Sequence, residues 1–151
     1  MISLEPPKPY DKWVIFDERN QILARKNSKS SQKIHHTTHD EWYINNYLKI
    51  TMLIHHPKET GRPSIPVGYI HIQRHKAWAT LSILIYQKQQ RRGYAKTALN
   101  LIINLELDTN WIAEVLPHNT ASHHLFSDCG FIQYAPGLYI HRAESANWSF
   151  G

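Results

Sequence analysis

The feature that most constrains the fold is an amphipathic helical pattern with a strand-like run on each side. Four apolar residues recur at the i, i+3, i+4 and i+7 spacing of one helical face. They are Ala95, Ala98, Leu99 and Ile102. Residues 77–86 before this helix and residues 111–116 after it are rich in the apolar and β-branched residues typical of strands. The order strand, loop, helix, strand predicts an α/β fold built on a mixed sheet.

Further strands and helices are predicted around this unit. Residues 67–73 are expected to pair with residues 77–86 like a hairpin, and residues 49–55 to form another strand. Another helix is expected over residues 118–127, followed by a closing pair of strands. These two strands are residues 131–134 and 137–141.

The N-terminal third carries its own set of patterns. Three prolines within residues 1–12 favour an extended arm, because proline lacks a backbone donor. Residues 13–16 are apolar and β-prone, and residues 21–24 could return beside them as a hairpin partner. Residues 26–33 have the composition of a polar loop. Thr38 is a suitable N-cap for the helix that follows it.

Composition limits the class of protein. The length is that of one domain, so residues 1–151 are expected to fold as a single unit. A hydrophobic fraction of 42% is enough for a packed core, and the longest apolar run is too short to span a membrane. The single cysteine, Cys129, agrees with a reducing compartment, and we expect a cytoplasmic protein. The net charge of +5 favours an anionic partner such as nucleic acid, a phosphorylated metabolite or an acidic membrane.

A short basic loop joins the strand over residues 77–86 to the amphipathic helix. It reads Gln90-Arg91-Arg92-Gly93-Tyr94-Ala95, and Lys96 follows in the first helical turn. Free amides at a helix N-terminus bind phosphate oxygens, and small residues let a pyrophosphate approach the backbone. The GxxxxGK[ST] and GxGxxG patterns are absent, which argues against nucleotide hydrolysis and dinucleotide binding. The loop resembles the Q/R-x-x-G-x-G/A coenzyme A pyrophosphate loop of the GNAT acetyltransferase superfamily.

A second motif of the same superfamily follows downstream, after a helix and a strand. Residues 114–131 resemble its segment of strand, N-x-x-S, helix and G-F, with Asn119 and Ser122 at the N-x-x-S positions. Asn119 can cap the helix, Gly130 permits a left-handed C-terminal turn, and Phe131 re-enters the core.

The resemblance implies the GNAT fold, in which a central mixed, mostly antiparallel and splayed sheet is flanked by helices. It also implies acetyl-CoA as cosubstrate and transfer of its acetyl group to a primary amine. Backbone groups of Ile83 and Ile85 are expected to contact the pantetheine arm. The other residues expected to bind the cofactor lie in the two motifs. They are Gln90, Arg91, Arg92, Gly93, Tyr94, Ala95, Lys96, Asn119, Ser122 and Phe126.

Two positions bear on the chemistry. Glu114 is the acidic residue on the strand expected to line the cleft, so it is the candidate general base, directly or through water. A solvated carboxylate in an ion pair is the alternative for this residue. Family members often place a general-acid tyrosine five positions before the G-F phenylalanine, where this chain has Phe126. Because phenylalanine cannot donate a proton, the thiolate is protonated from elsewhere, or the chain binds coenzyme A without catalysis.

The acceptor side is expected to include His39 and Trp42. Together with Ile34 they resemble the I-x-x-x-x-H-x-x-W region of relatives that acetylate nucleotide-linked amino sugars or ribosomal-protein N-termini. The phosphates of a nucleotide-linked sugar would explain the positive charge better than a peptide would, which favours a small-molecule amine over a protein. The eleven histidines include no second ligand set at zinc-site spacing, so no metal is expected.

One rival class is a nucleic-acid-binding module that uses Lys88, Arg91, Arg92 and Lys96. The coenzyme A loop already accounts for this single basic cluster, so neither nucleic acid nor a membrane is expected as a partner. Pairing of subunits through terminal strands is common in the superfamily, so a homodimer is one possible oligomeric state.

Overall fold

The computed structural model describes residues 1–28 and 32–144, which fold around one seven-stranded sheet. The strands are β1 (Ile2–Glu5), β2 (Ile50–His55), β3 (Ile65–Arg74), β4 (Trp78–Ile85), β5 (Asn110–Glu114), β6 (Ile132–Ala135) and β7 (Leu138–His141). The helices of the described residues are α1 (Asp11–Arg19), α2 (Ile22–Lys26), α3 (His36–Asn46), α4 (Tyr94–Leu105) and α5 (Thr120–Asp128). Across the sheet the strands lie in the order β1-β2-β3-β4-β5-β7-β6.

The sheet is antiparallel except where β4 meets β5, and there the two strands diverge. Their parallel ladder runs only from the pair Trp78 and Asn110 to the pair Thr80 and Ile112. Within the described residues, the rest of β4 has no strand on its β5 side, although it continues to Ile85. This is the mixed, mostly antiparallel and splayed sheet that the family resemblance implies, and the fold class is confirmed.

Helices cover both faces of the sheet because successive strand residues point to opposite faces. Leu53 and Ile70 belong to the core that includes the apolar stripe of α4. Their neighbours Met52 and Tyr69 pack on the other face with Ile15 of α1. Burial of one large apolar side chain contributes roughly 1.5–3 kcal/mol of transfer free energy. Several such side chains are buried on each face, and their burial stabilises the packing of helices against both faces of the sheet.

β3 and β4 approach each other closely at Gly68. A Cβ atom on this residue would lie 2.2 Å from the carbonyl oxygen of Leu84, so a side chain does not fit there. Gly68 is paired with Ile85 in the antiparallel register. The close approach fixes the end of β4 that borders the gap between β4 and β5.

The predicted hairpin in the N-terminal third is wrong. Residues 13–16 lie in α1, and residues 22–24 lie in α2, so neither run is a strand. In α1 the side chain of Ile15 is fully buried, whereas Trp13 is 47% exposed. Packing of one helical side therefore overrides the β-propensity of this apolar run.

Two further boundaries differ from the prediction. The helix expected to begin after Thr38 begins at His36, with His35 as N-cap, so Thr38 lies inside α3. In the predicted extended arm, only residues 2–5 form a strand, and this strand pairs with β2. The predicted polar loop over residues 26–33 includes residues 29–31, which lie outside the described residues.

From residue 49 onward, each predicted strand and helix is confirmed with small shifts of its ends. For example, β5 ends at Glu114, and α5 begins at Thr120. In the part of the chain that the structure describes, no helix is long and apolar enough to cross a membrane.

Candidate active site

Two cavities meet at the gap between β4 and β5. The first, which we call the α4 cavity, has a volume of about 530 Å³ and lies at the N-terminus of α4. The second, which we call the β5 cavity, has a volume of about 780 Å³ and lies at the C-terminal end of β5. The lining residues that the two cavities share are Ala24, Asn27, Ile83, Leu84 and Asn119.

The edge of β4 is available to a ligand along this gap. Because the ladder with β5 ends at Thr80, the backbone groups that would continue it are not paired with β5. Buried backbone donors and acceptors need partners, which a ligand laid along the strand can provide. At the end of β4, the side-chain amide of Gln90 donates to the carbonyl of Ile85 at 3.2 Å.

The N-terminus of α4 has the geometry of a phosphate site. Its first intrahelical hydrogen bond runs from the amide of Thr97 to the carbonyl of Gly93 at 3.1 Å, so the amides of residues 94–96 are left without intrahelical partners. Gly93 has φ of 78°, a left-handed conformation that favours glycine. A Cβ atom there would meet no protein atom within 4 Å, so the space beside the backbone is open. The loop therefore fits the pyrophosphate of coenzyme A.

Most residues predicted to bind the cofactor line the α4 cavity. They are Ile83, Ile85, Gln90, Arg91, Arg92, Gly93, Tyr94, Ala95, Lys96, Asn119 and Ser122. Asn119 also caps α5, since its side-chain oxygen accepts the amide of Ser122 at 3.2 Å. Most of these residues are close in sequence, and the fold brings the α4 loop and the start of α5 to one cavity.

Phe126 is the exception and does not line the α4 cavity. It is 3% exposed, and its ring lies 5.0 Å from that of Phe131 and 6.1 Å from that of Tyr139, measured between centroids. On α5 it is Ala121, Ser122 and Leu125 that line the cavity, and Phe126 is turned toward the core. The sequence motif gives the position of this residue along the helix but does not determine the direction of its side chain.

Sequence reasoning missed the part of the α4 cavity contributed by α1 and α2. Glu18 and Gln21 line it, and a side-chain oxygen of Glu18 accepts the amide of Gln87 at 2.9 Å. Ala24 and Asn27 lie where the two cavities meet. No sequence signal places these residues at a cofactor site, because residues 21–24 are predicted to form a strand and residues 26–33 a polar loop.

Glu114 is the predicted general base, and Trp42 is predicted on the acceptor side. Both line the β5 cavity and not the α4 cavity. Glu114 is exposed at the end of β5, where it pairs with Leu138 of β7. The candidate base is therefore placed away from the N-terminus of α4.

His39 is predicted to lie on the acceptor side, but it does not line the β5 cavity. Its side chain is fully buried, and its Nε2 lies 2.7 Å from the carbonyl of Lys12. Since a carbonyl only accepts, Nε2 carries the proton and Nδ1 accepts from the guanidinium of Arg19 at 3.1 Å. Burial, the largest cause, lowers the pKa of His39 and keeps it neutral. It is Arg19 that reaches the cavity, with its guanidinium 3.9 Å from the ring centroid of Trp42.

The β5 cavity also contains two titratable groups from β3 that sequence reasoning missed. His71 lies with its Nε2 2.8 Å from the side-chain oxygen of Asn46, whose amide donates to the carbonyl of Trp42. Nε2 of His71 is therefore the donor, and Nδ1 is left as an acceptor. Burial, with the charges of Lys49 and Arg19, lowers the pKa of His71. Burial also raises the pKa of Tyr69 to about 12, so its phenol keeps its proton.

Among residues 1–28 and 32–144, no three His, Cys, Asp or Glu side chains are grouped so that they could hold a metal ion.

Residues 2–132 match the model of the acetyltransferase (GNAT) domain. The chain therefore belongs to the GNAT family of acetyltransferases. It is an acyltransferase that uses acetyl-CoA as cosubstrate and an amine as acceptor, as the two sequence motifs predict.

Several solved structures of acetyltransferases share this fold. A GNAT acetyltransferase from Bacillus anthracis has a TM-score of 0.79 at 15% identity, with 95% of each chain covered. Spermidine N-acetyltransferase from Vibrio cholerae, solved with CoA and spermine, has a TM-score of 0.71 at 14% identity over 92% of this chain and 91% of that chain. An aminoglycoside acetyltransferase solved with coenzyme A and kanamycin has a TM-score of 0.73 at 12% identity over 94% of this chain and 95% of that chain. No curated protein sequence matches this chain significantly.

Proposed function

We propose that this enzyme moves an acetyl group from acetyl-CoA in the α4 cavity to the primary amine of a small molecule in the β5 cavity. The observation that carries the proposal is that the two cavities meet along the unpaired edge of β4, at Ile83 and Leu84. Two ligands that enter from these cavities would bring their reactive ends together there. Proximity of this kind can supply a large part of a rate enhancement.

The α4 cavity would hold the cofactor through backbone and charge. The amides of residues 94–96 and the guanidinium groups of Arg91 and Arg92 would bind the pyrophosphate. The pantetheine arm would lie along the edge of β4 between Ile83 and Ile85. A backbone amide of the same edge would donate to the thioester oxygen as negative charge develops on it.

The β5 cavity would supply the proton acceptor. Bound acetyl-CoA supplies a thioester that a neutral amine can attack and a thiolate that can leave. Glu114 would take a proton from the amine, directly or through water. Nδ1 of His71 is a second candidate, because its tautomer leaves that lone pair open and its lowered pKa keeps it neutral. A coenzyme A thiolate is a good leaving group. No side chain therefore has to act as general acid in place of the tyrosine that relatives often have at the position of Phe126.

A small molecule is favoured as the acceptor. A cavity of about 780 Å³ is within the usual size of a small-molecule site. A nucleotide-linked amino sugar stays our leading acceptor within this class, and a protein N-terminus is the alternative. Trp42 is less suited to stacking on a base than the sequence suggests, because Arg19, His39 and His71 already contact its ring.

Calorimetric titration of acetyl-CoA into the wild type and two glycine variants tests the cofactor site. Gly93→Trp should weaken binding at least about tenfold, because the indole would project into the space left open for the pyrophosphate. Gly61→Trp is the matched control, since Gly61 has φ of 87° and open space around it but lies in the loop between β2 and β3. Equal binding by both variants, or no binding by the wild type, would contradict the proposed cofactor site.

A panel of primary amines with release of the coenzyme A thiol as readout tests turnover. Acetylation of at least one amine is expected. Tight binding of acetyl-CoA without acetylation of any amine would instead support a non-catalytic coenzyme A-binding protein.

A further inference from the structure

Two arginines face the β5 cavity without an acidic partner. Arg19 ends α1 and Arg25 lies in α2, and both line the cavity. Among residues 1–28 and 32–144, no carboxylate lies within 4 Å of either guanidinium. The one acidic lining residue of the described chain is Glu114, which comes from β5 and not from the α1–α2 segment.

Both guanidinium groups are partly removed from water. Burial is the largest cause that lowers the pKa of Arg19, although arginine stays charged in proteins. Nε of Arg25 is buried and has no hydrogen-bond partner in the described part of the chain. A partly desolvated cation is costly unless an anion or hydrogen-bond acceptors compensate it. Two such cations on one wall indicate a site for an anion that comes from outside the chain.

Arg19 is held in place for this role. Its Nη1 donates to Nδ1 of His39, and the guanidinium lies over the ring of Trp42. His39 is in turn fixed by its bond to the carbonyl of Lys12. A guanidinium has five N–H donors, so one bond to His39 leaves the others for a ligand. A side chain that is already ordered loses little freedom when an anion binds.

We propose that Arg19 and Arg25 bind an oxyanion of the acceptor, so that the preferred substrate is an amine that also carries a phosphate or a carboxylate. This inference rests on the proposed function, because it assigns the β5 cavity to the acceptor. The negative group would lie against the α1–α2 segment. The amine would then be directed toward Glu114 and the edge of β4. Amines without a negative group, including polycationic amines, would lack the contact with Arg19 and Arg25.

Matched pairs of amines that differ only in the anionic group provide the kinetic test. Glucosamine 6-phosphate against glucosamine tests a phosphate, and lysine against 1,5-diaminopentane tests a carboxylate. In at least one pair, the member with the phosphate or carboxylate should have a kcat/KM about tenfold or more above that of its partner, since a hydrogen bond to a charged group is the stronger kind. Arg19→Gln and Arg25→Gln should remove this preference by raising KM for the anionic amine. Equal kcat/KM within both pairs in the wild type would overturn the inference.

Control variants separate the site from general effects of charge and folding. Arg62→Gln removes an exposed arginine that is paired with Glu59 outside both cavities, and it should keep the preference. Arg19→Lys should keep part of the preference, because it retains the charge but not the planar donors. Preference that is unchanged in both Arg19→Gln and Arg25→Gln would contradict the assignment.

A binding measurement keeps the test independent of turnover. Calorimetry of glucosamine 6-phosphate and lysine, against the free protein and against protein with coenzyme A, should detect tighter binding than that of the partners without the anionic group. Failure of acetyl-CoA to bind would defeat the proposed function, and the same titration of the free protein would still report on the arginines. No difference within either pair would defeat the anion site while leaving acetyl transfer intact.

Discussion

His118 donates a hydrogen bond from Nε2 to the main-chain carbonyl of Lys26. This bond ties the end of α2 to the loop that joins β5 to α5. Asn27 and Asn119, the neighbours of these two residues, both line the junction of the α4 and β5 cavities. The α2 segment is therefore fastened beside the place where the two substrates are proposed to meet.

Removing this bond should loosen the junction. We expect His118→Ala to raise KM for acetyl-CoA and for the amine, each by about two- to tenfold, which corresponds to one hydrogen bond. Initial-rate kinetics with each substrate varied in turn would measure the effect. His124→Ala is the control, since His124 is also exposed but lies farther along α5. Unchanged KM values in His118→Ala would mean that the bond does not order the site.

Glu114→Gln should lower kcat by about 10²- to 10⁴-fold, because the amide cannot accept the amine proton. The affinity for acetyl-CoA should not change, since Glu114 lines only the β5 cavity. Rapid-mixing kinetics together with calorimetry would separate the two effects. Glu59→Gln, at an exposed loop position, serves as the control. A normal kcat in Glu114→Gln with a lowered kcat in His71→Gln would assign the proton to His71.

Stability should fall as pH drops below 6.5, partly because of His39. Burial lowers the pKa of this residue from its ordinary value of 6.5, so the folded chain resists its protonation. Between the lowered pKa and 6.5 the unfolded chain binds more protons than the folded chain, and stability is lost as pH falls through this range. Urea unfolding across this range should show a smaller loss for His39→Gln than for the wild type. The same slope in both would contradict the role of this imidazole.

Phe126→Tyr should not create a general acid. The ring is buried among Phe131 and Tyr139, so the added hydroxyl would enter the core and destabilise the protein by about 1–3 kcal/mol. kcat should not rise, because this side chain lines neither cavity. Thermal or urea unfolding and kcat on the same variant would check both statements. A higher kcat would show that position 126 reaches the thiolate.

The α4 cavity could be predicted from the sequence because its main parts are local. The phosphate loop and the first turn of α4 are continuous, and Asn119 with Ser122 belongs to one helix start. Gly93 needs its residue type for its own backbone angle and for the space beside it. Because these positions need particular residue types and are close in sequence, they form a motif that can be recognised without a structure.

The β5 cavity could not be predicted in the same way. Its polar residues come from three helices, three strands and the loops beside them, which only the tertiary fold brings together. The β-prone run at residues 13–16 suggested a strand, and a strand gives no reason to place Arg19 beside Trp42. The sequence motif predicts His39 on the acceptor side, but the contact of this residue with Arg19 depends on packing between α1 and α3. A local pattern identifies such a residue without giving the direction of its side chain.

The composition of the junction between the cavities has a kinetic consequence. The five shared lining residues, Ala24, Asn27, Ile83, Leu84 and Asn119, include no thiol, hydroxyl, imidazole or amine that could carry an acetyl group. Cys129 is buried in the core, and burial raises the pKa of its thiol. Among the described residues, this junction therefore offers no side chain that could carry the acetyl group covalently. Donor and acceptor must be present at the same time, and their double-reciprocal rate plots will intersect instead of running parallel.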